Sequence, residues 1–219
     1  VPPAVQEAGG IILSAGLLSG DENFKEDDLV ISLSGQIFDE AKELDGLLAN
    51  RGYKRIAFIR YDDEFTAAVL RGIQQPGSVF NVKAESIIDL PIQHNMTDFA
   101  PYLLRAKSKQ AEAYLLYLGE QQTLSLMRRR NELKIKEPIF SGYIIESNVL
   151  SLEDRKWLEG ITYTYPKLAS ADNEVRKKFD DKYKAVYGDL ARPSSNTYFA
   201  YDGIIVLSNA LSACNATDT

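Results

Sequence analysis

Short apolar segments alternate with amphipathic segments of helical length along most of this chain. The apolar segments include Ile11–Leu13, Leu29–Leu33, Arg55–Arg60, Ala113–Leu118 and Pro138–Ser141. Between them, apolar residues recur at the spacing that is typical of an α-helix. A short hairpin cannot join parallel strands, so strands that alternate with helices indicate parallel crossovers. The sequence therefore predicts an α/β fold, a doubly wound parallel three-layer sandwich.

Three further elements are predicted from the same patterns. A strand is expected at Val82–Ile88, and helices are expected at Glu174–Tyr187 and Thr197–Ala213. The first of these helices has apolar residues at helical spacing, and we expect them to form its buried stripe: Val175, Phe179, Tyr183 and Val186.

Composition excludes several classes of function. The 219 residues are 45% hydrophobic, which is enough to bury a sizeable core. The 25 Lys and Arg residues against 31 Asp and Glu residues give a formal net charge of −6, so neither nucleic acid nor an anionic membrane surface is an expected partner. No run reaches the roughly 20 apolar residues that would span a bilayer, so direct membrane insertion is not predicted.

Single residues limit further the kinds of functional site that the chain can form. Cys214 is the only cysteine and His94 the only histidine, which excludes an intrachain disulfide and any metal site built from several such residues. We interpret His94 as an exposed loop residue in a turn-rich stretch. The common nucleotide-binding and hydrolase motifs are absent, so the sequence predicts no cofactor and no catalytic residues. Binding without catalysis is the simplest interpretation.

Ligands of doubly wound sheets bind at the carboxyl ends of the strands. Four loops of this chain follow a predicted strand, and they supply these candidate ligand-binding residues: Ser14, Ala15, Gly16, Leu17, Asp62, Phe65, Tyr117, Glu120, Tyr143 and Glu146. In the first loop, small side chains and free backbone N–H groups would allow a ligand to approach closely. Alternatives stay open, because Asp62 could belong to a solvated helix start, and Phe65 and Tyr117 could be core aromatics.

Three stretches resemble one protein family. The first is "LANRGYKRIAFIRYDDEFTAAVLRGI" (Leu48–Ile73), and the second is "TDFAPYLLRAKSKQAEAYLLYLGEQQTLSLMRRRNEL" (Thr97–Leu133). The third combines "FDDKYKAVYG" with "FAYDGIIVLSNAL" (Phe199–Leu211). In this order they resemble type I periplasmic binding proteins, the leucine/isoleucine/valine-binding family of ABC transporter solute-binding proteins.

The resemblance implies two lobes, a ligand and a transporter. Residues 1–34 and 166–219 would belong to lobe one and residues 35–165 to lobe two, with hinges near Ser32–Gly35 and Thr164–Pro166. The family's opening and closing segments have no counterpart here, so we expect the chain to be a fragment. The implied function is capture of a small molecule, an amino acid or a related metabolite, for an ABC transporter permease. The implied location is the periplasm or the cell exterior, in lipid-anchored or soluble form.

The chain departs from the amino-acid-binding pattern of that family. Leu17 stands at the position of a threonine, and Phe65 and Gly119 stand at tyrosine positions. Tyr143 falls near the acidic position, and the resemblance leaves Glu146 and Glu120 as the nearest carboxylates. A more apolar ligand is therefore consistent with the sequence. Two other functions remain open: a ligand-sensing domain of a receptor or regulator, and a flavodoxin-like α/β enzyme.

Overall fold

A computed structural model describes residues 7, 9–15, 30–35, 37–75, 87–146, 152–188 and 192–214. The chain separates into two compact units. Unit 1 comprises Val1–Gln36 and Pro166–Thr219, and unit 2 comprises the continuous stretch Ile37–Tyr165. The chain therefore passes between the units twice.

Unit 2 is built on a parallel sheet. Its strands are β3 (Ile56–Tyr61), β4 (Ile87–Ile92), β5 (Ala113–Tyr117), β6 (Ile139–Ser141) and β7 (Thr162–Tyr163). All neighbours are parallel, and the order across the sheet is β4-β3-β5-β6-β7. The central position of β3 and β5 explains why every residue of both strands is buried.

The helices of unit 2 alternate with its strands along the chain, beginning with a helix. They are α1 (Ile37–Asn50), α2 (Glu64–Ile73), α3 (Ala100–Ser108), α4 (Glu120–Glu132) and the short α5 (Leu152–Arg155). Single 3₁₀ turns lie at Tyr143–Ile145 and Lys156–Leu158. Asp63 caps the start of α2, since its carboxylate accepts a hydrogen bond of 2.8 Å from the Thr66 amide.

Helices cover both faces of this sheet. On one face, Ala57, Ile59 and Leu116 join the core cluster that includes Leu103 of α3 and Phe99, which directly precedes α3. Alternate residues of the same strands point the other way, towards the side of α1 and α2. Burial of each large apolar side chain contributes about 1.5–3 kcal/mol to the free energy of unfolding. The predicted doubly wound parallel three-layer fold is confirmed.

Strand β4 departs from its predicted bounds. The prediction placed the strand at Val82–Ile88, whereas the structure has Ile87–Ile92 and residues 82–86 lie outside the described residues. Asp89 is accommodated by a bidentate ion pair with Arg60 of β3, at 2.8 and 2.9 Å. Pro91 is tolerated because β4 is the edge strand and pairs only with β3.

The described part of unit 1 includes a parallel pair of strands and two long helices. Strands β1 (Ile12–Ser14) and β2 (Val30–Ser32) pair with each other, and α7 (Ser195–Ala213) packs against β1. Helix α6 spans Glu174–Tyr187, as predicted. The Asn173 side chain caps the start of α6, because its oxygen accepts hydrogen bonds from the amides of Val175 and Arg176.

The predicted buried stripe of α6 is wrong at both ends. Val175 is 62% exposed and Val186 is 73% exposed. Phe179 and Tyr183 are half-buried, and the Phe179 ring packs against Tyr201 of α7 at 4.5 Å. In the described part of unit 1, packing by α7 reaches the middle of α6 and leaves its ends uncovered.

Candidate functional site

The parallel strands of unit 2 bring the chosen loops to one edge of the sheet. Strands β3, β5 and β6 end at Tyr61, Tyr117 and Ser141, and each is followed by a loop that carries candidate residues. Since neighbouring parallel strands end on the same side, these loops form the carboxyl edge of the sheet. We call this region the carboxyl edge; its loops comprise residues 61–65, 92–95, 117–120, 141–146 and 163–165.

Tyr117 lies in the interior of this edge. Its side chain has no exposed surface, and its ring meets Phe58 edge-on, with the ring centroids 6.0 Å apart. Its hydroxyl donates a hydrogen bond to Glu40. Burial raises the pKa of Tyr117 well above its usual range, and the neighbouring charge of Glu40 adds to the shift. The structure thus places Tyr117 among the core aromatics, and a direct ligand contact stays a prediction.

Glu40 is a residue that the sequence prediction did not select. It lies in the first turn of α1, and its carboxylate accepts hydrogen bonds from three separate segments. Oε2 accepts from the Tyr117 hydroxyl, while Oε1 accepts from the Tyr143 amide at 2.9 Å and from the Thr164 hydroxyl at 2.5 Å. A half-buried carboxylate with three donors is well satisfied, and it joins three loops of the carboxyl edge.

The loop after β6 packs directly on Tyr117. Gly142 is buried there, and a Cβ atom at this position would collide with the Tyr117 ring. Tyr143 follows as the first residue of a 3₁₀ turn and is half-buried. Its backbone is therefore held by Glu40 on one side and by the close approach of Gly142 on the other.

A second cluster joins the loops after β3, β4 and β5. The His94 ring stacks on Tyr61 at 4.0 Å, and its Nε2 lies 3.0 Å from a carboxylate oxygen of Asp63. The Tyr61 hydroxyl accepts from the Gly119 amide at 2.9 Å and donates to the Gln122 side chain at 3.0 Å. Burial raises the pKa of Tyr61. His94 is exposed and in a loop, as interpreted from sequence, and it also has these two partners.

Asp62 lies in the loop after β3, and Phe65 lies in the first turn of α2. Asp62 is exposed and accepts a hydrogen bond of 3.3 Å from the Gln93 side chain. Phe65 is half-buried, with its ring centroid 6.4 Å from that of Tyr117. Both residues leave surface that a small molecule could contact.

The two predicted carboxylates differ in exposure. Glu120 is only 6% exposed and is the first residue of α4. Glu146 is half-buried and accepts a hydrogen bond of 3.0 Å from the Tyr165 hydroxyl. Glu40, which was not selected from the sequence, is a carboxylate that accepts a hydrogen bond from the Tyr143 amide.

The first candidate loop belongs to unit 1. Ser14 ends β1 and is half-buried, and its carbonyl accepts from the Leu33 amide at 2.9 Å. Ala15 is also half-buried. Gly16 and Leu17 lie outside the described residues, so their prediction stands as made. No helix within the described ranges is long and apolar enough to cross a membrane.

Comparison with known proteins identifies the family. A sequence profile of the periplasmic binding protein family matches residues 1–219. The chain belongs to this family. No curated protein matches it significantly by sequence. The resemblance to type I periplasmic binding proteins, stated above from its sequence stretches, is confirmed.

Solved structures share the fold at low sequence identity. A leucine-binding protein of Thermotoga maritima is 18% identical with a TM-score of 0.77, over 99% of this chain and 61% of that one. A solute-binding protein of an ABC transporter from Rhodopseudomonas palustris, in complex with p-hydroxybenzoic acid, is 18% identical with a TM-score of 0.79, over 97% and 58%. A fatty acid ABC transporter substrate-binding protein of Thermomonospora curvata is 16% identical with a TM-score of 0.75, over 94% and 53%. The chain thus spans about three fifths or less of their lengths.

Proposed function

We propose that this periplasmic binding protein captures a small molecule outside the cytoplasm and presents it to an ABC transporter permease. One observation carries the proposal: the family profile matches the whole chain. The loops at the carboxyl edge support it, because doubly wound sheets bind their ligands there. In this proposal the chain has no catalytic role. The proposed mode of capture has the solute held between the two lobes that the sequence predicts, residues 1–34 with 166–219 and residues 35–165.

The proposed contacts come from both units. Unit 1 would contribute Ser14 and Ala15, with Gly16 and Leu17 beyond them. From unit 2 we propose six residues: Asp62, Phe65, Tyr117, Glu120, Tyr143 and Glu146. Asp62, Phe65, Tyr143 and Glu146 retain accessible surface, which supports direct contact. Tyr117 and Glu120 are buried, so in this proposal they would support the residues that contact the ligand.

The proposed ligand is an amino acid or a related small metabolite with an apolar body. Solved members of the same fold are described as binding leucine, p-hydroxybenzoic acid or fatty acid, and each of these combines a carboxylate with an apolar part. Phe65 offers an aromatic surface without a hydroxyl, and Leu17 is equally apolar. Both favour an apolar ligand body over a sugar.

A thermal-shift screen of the complete gene product tests this function. The panel would contain L-leucine, L-valine, 4-hydroxybenzoate, decanoate and, as a contrasting solute, glucose. A true ligand at about 100 times its Kd stabilises the folded protein by about 2.7 kcal/mol and raises its Tm. Mass spectrometry should recover the bound compound unchanged.

Matched variants would locate the site. Glu146→Gln should weaken binding of the compound that the screen identifies, whereas Glu159→Gln, an exposed carboxylate away from the carboxyl edge, should leave binding unaltered. A panel in which no compound raises the Tm would contradict the proposal, and so would chemical conversion of the bound compound.

A further inference from the structure

The Glu40 carboxylate connects segments that are far apart in sequence. Its three donors, Tyr117, Tyr143 and Thr164, lie 77, 103 and 124 residues further along the chain. Each donor follows or ends a different strand, namely β5, β6 and β7. One side chain of α1 thus fixes the carboxyl ends of three neighbouring strands.

Two of these segments are also where the chain crosses between the units. Unit 2 begins at Ile37 and ends at Tyr165. Glu40 lies in the first helical turn after the first crossing, and Thr164 directly precedes Tyr165 at the second. The hydrogen bond between the Thr164 hydroxyl and Glu40 Oε1 therefore ties the incoming segment to the outgoing one, at 2.5 Å.

The same oxygen also holds a loop of the candidate site. Oε1 accepts from the Tyr143 amide as well as from Thr164, so one atom contributes both to the position of this loop and to that of the second crossing. Hydrogen bonds to a charged acceptor are about twice as strong as those between neutral groups. Oε2 is held in place by the hydroxyl of the fully buried Tyr117, which anchors the carboxylate to the core.

We propose that Glu40 is a positioning residue that clasps the two chain crossings of unit 2 together and links them to the loop at Tyr143. The clasp limits the range of hinge motion and transmits a shift of the Tyr143 loop to the second crossing. Its relevance to solute capture rests on the proposed function. The clasp itself is a property of the hinge and can be measured without solute.

Distances between the units test the clasp directly. In the complete gene product with Cys214 and any cysteine outside residues 1–219 replaced by serine, spin labels would be attached through Lys107→Cys in α3 and Lys182→Cys in α6, both of which are exposed. Pulsed electron resonance then gives the distribution of distances between them. We expect Glu40→Ala and Thr164→Val to broaden this distribution relative to the parent.

Two controls separate the clasp from a general loss of stability. Tyr117→Phe removes the anchor in the core but keeps both bonds of Oε1, so it should lower the free energy of unfolding with little change in the distribution. Glu43→Gln removes a charge from an exposed position of the same helix and should change neither. If Glu40→Ala does not fold, Thr164→Val carries the test, because it removes only one hydroxyl.

Hydrogen exchange gives a second measurement on the free protein. The Tyr143 amide should exchange about tenfold faster in Glu40→Ala, because its acceptor is lost, and Glu40→Gln should restore most of the protection through its remaining oxygen. Unchanged distances in both Glu40→Ala and Thr164→Val would overturn the proposal, as would a Tyr117→Phe distribution as broad as that of Thr164→Val. A negative solute screen, by contrast, would count only against the proposed function.

Discussion

Two tyrosines of β5 have the same burial and different hydrogen bonding. Tyr114 and Tyr117 are both fully buried, and they point to opposite faces of the sheet. The Tyr117 hydroxyl donates to Glu40, whereas the Tyr114 hydroxyl has no hydrogen-bond partner among the described residues. A buried polar group without a partner costs free energy, so the two hydroxyls should affect stability in opposite directions.

Replacement of each tyrosine by phenylalanine tests this contrast. Tyr117→Phe should lower the free energy of unfolding by about 1–3 kcal/mol, because Glu40 Oε2 loses its donor. Tyr114→Phe should leave it unchanged or raise it by up to about 1 kcal/mol, because an unpaired hydroxyl is removed without a change in ring shape. Urea unfolding followed through the single tryptophan, Trp157 of unit 2, measures both. Equal losses in the two variants would contradict the contrast.

Tyr114 also predicts that the free energy of unfolding depends on pH. Burial raises the pKa of Tyr114 to about 12, with a further contribution from the charge of Glu137, while tyrosines of the unfolded chain titrate near 10. The unfolded state therefore releases this proton first, so stability that is present below about pH 10 is lost as the pH rises towards 12.

Tyr114→Phe removes this loss. The advantage of the variant over the parent should therefore grow between about pH 9 and about pH 11, as measured by urea unfolding at the two values. Parallel decreases in parent and variant would show that other groups cause the alkaline instability.

At the scale of elements, one glycine sets the approach of two helices. A Cβ atom at Gly72 of α2 would lie 2.5 Å from the Cβ atom of Ala41 and 3.0 Å from the Phe38 ring, both in α1. Gly46, in the middle of α1, has open space where a Cβ atom would be. The two glycines lie in the same pair of packed helices and differ in the space around them, so their substitutions can be compared directly.

Alanine at each position should give opposite results. Gly72→Ala should destabilise the protein by about 1–3 kcal/mol, because the helices must move apart. Gly46→Ala should stabilise it by up to about 1 kcal/mol, because alanine is the better helix former. Thermal unfolding monitored by circular dichroism compares them, and a Gly72→Ala protein as stable as the parent would show that the helix contact is looser than described.

Elements were predictable where their signals are local. The helix at Glu174–Tyr187 has strong helical periodicity and lies where it was predicted. The apolar run Ala113–Leu118 was predicted as a strand, and the structure has a strand at Ala113–Tyr117. Strand β4 was misplaced because its stabilising partner, Arg60, belongs to another strand. The burial of both ends of α6 was predicted wrongly for a related reason. Apolar residues at helical spacing in α6 do not show how much of that helix α7 covers.

At the scale of the whole molecule, the continuous unit has its own core. All five strands of the larger sheet and its core cluster come from residues 37–165. Unit 1 instead combines two separate stretches of chain. The continuous unit should therefore be able to fold by itself.

Expression of residues 37–165 alone tests this independence. We expect a single cooperative thermal transition, monitored by near-ultraviolet circular dichroism, because the buried residues of the sheet keep their partners. Residues 166–219 alone serve as the control and should melt without cooperativity, because they lack the strands of unit 1. A non-cooperative melt of residues 37–165 would mean that its core needs unit 1.

The sequence by itself determined the class of fold and the family. Alternating strand and helix patterns are local, and the order of those patterns leaves few topologies other than parallel crossovers. It also indicated which loops meet at the carboxyl edge, because parallel strands end on the same side. Only the tertiary structure decided the chemistry there. The role of Glu40 depends on donors 77 to 124 residues away, and no periodicity records which side chain will face which across a folded sheet.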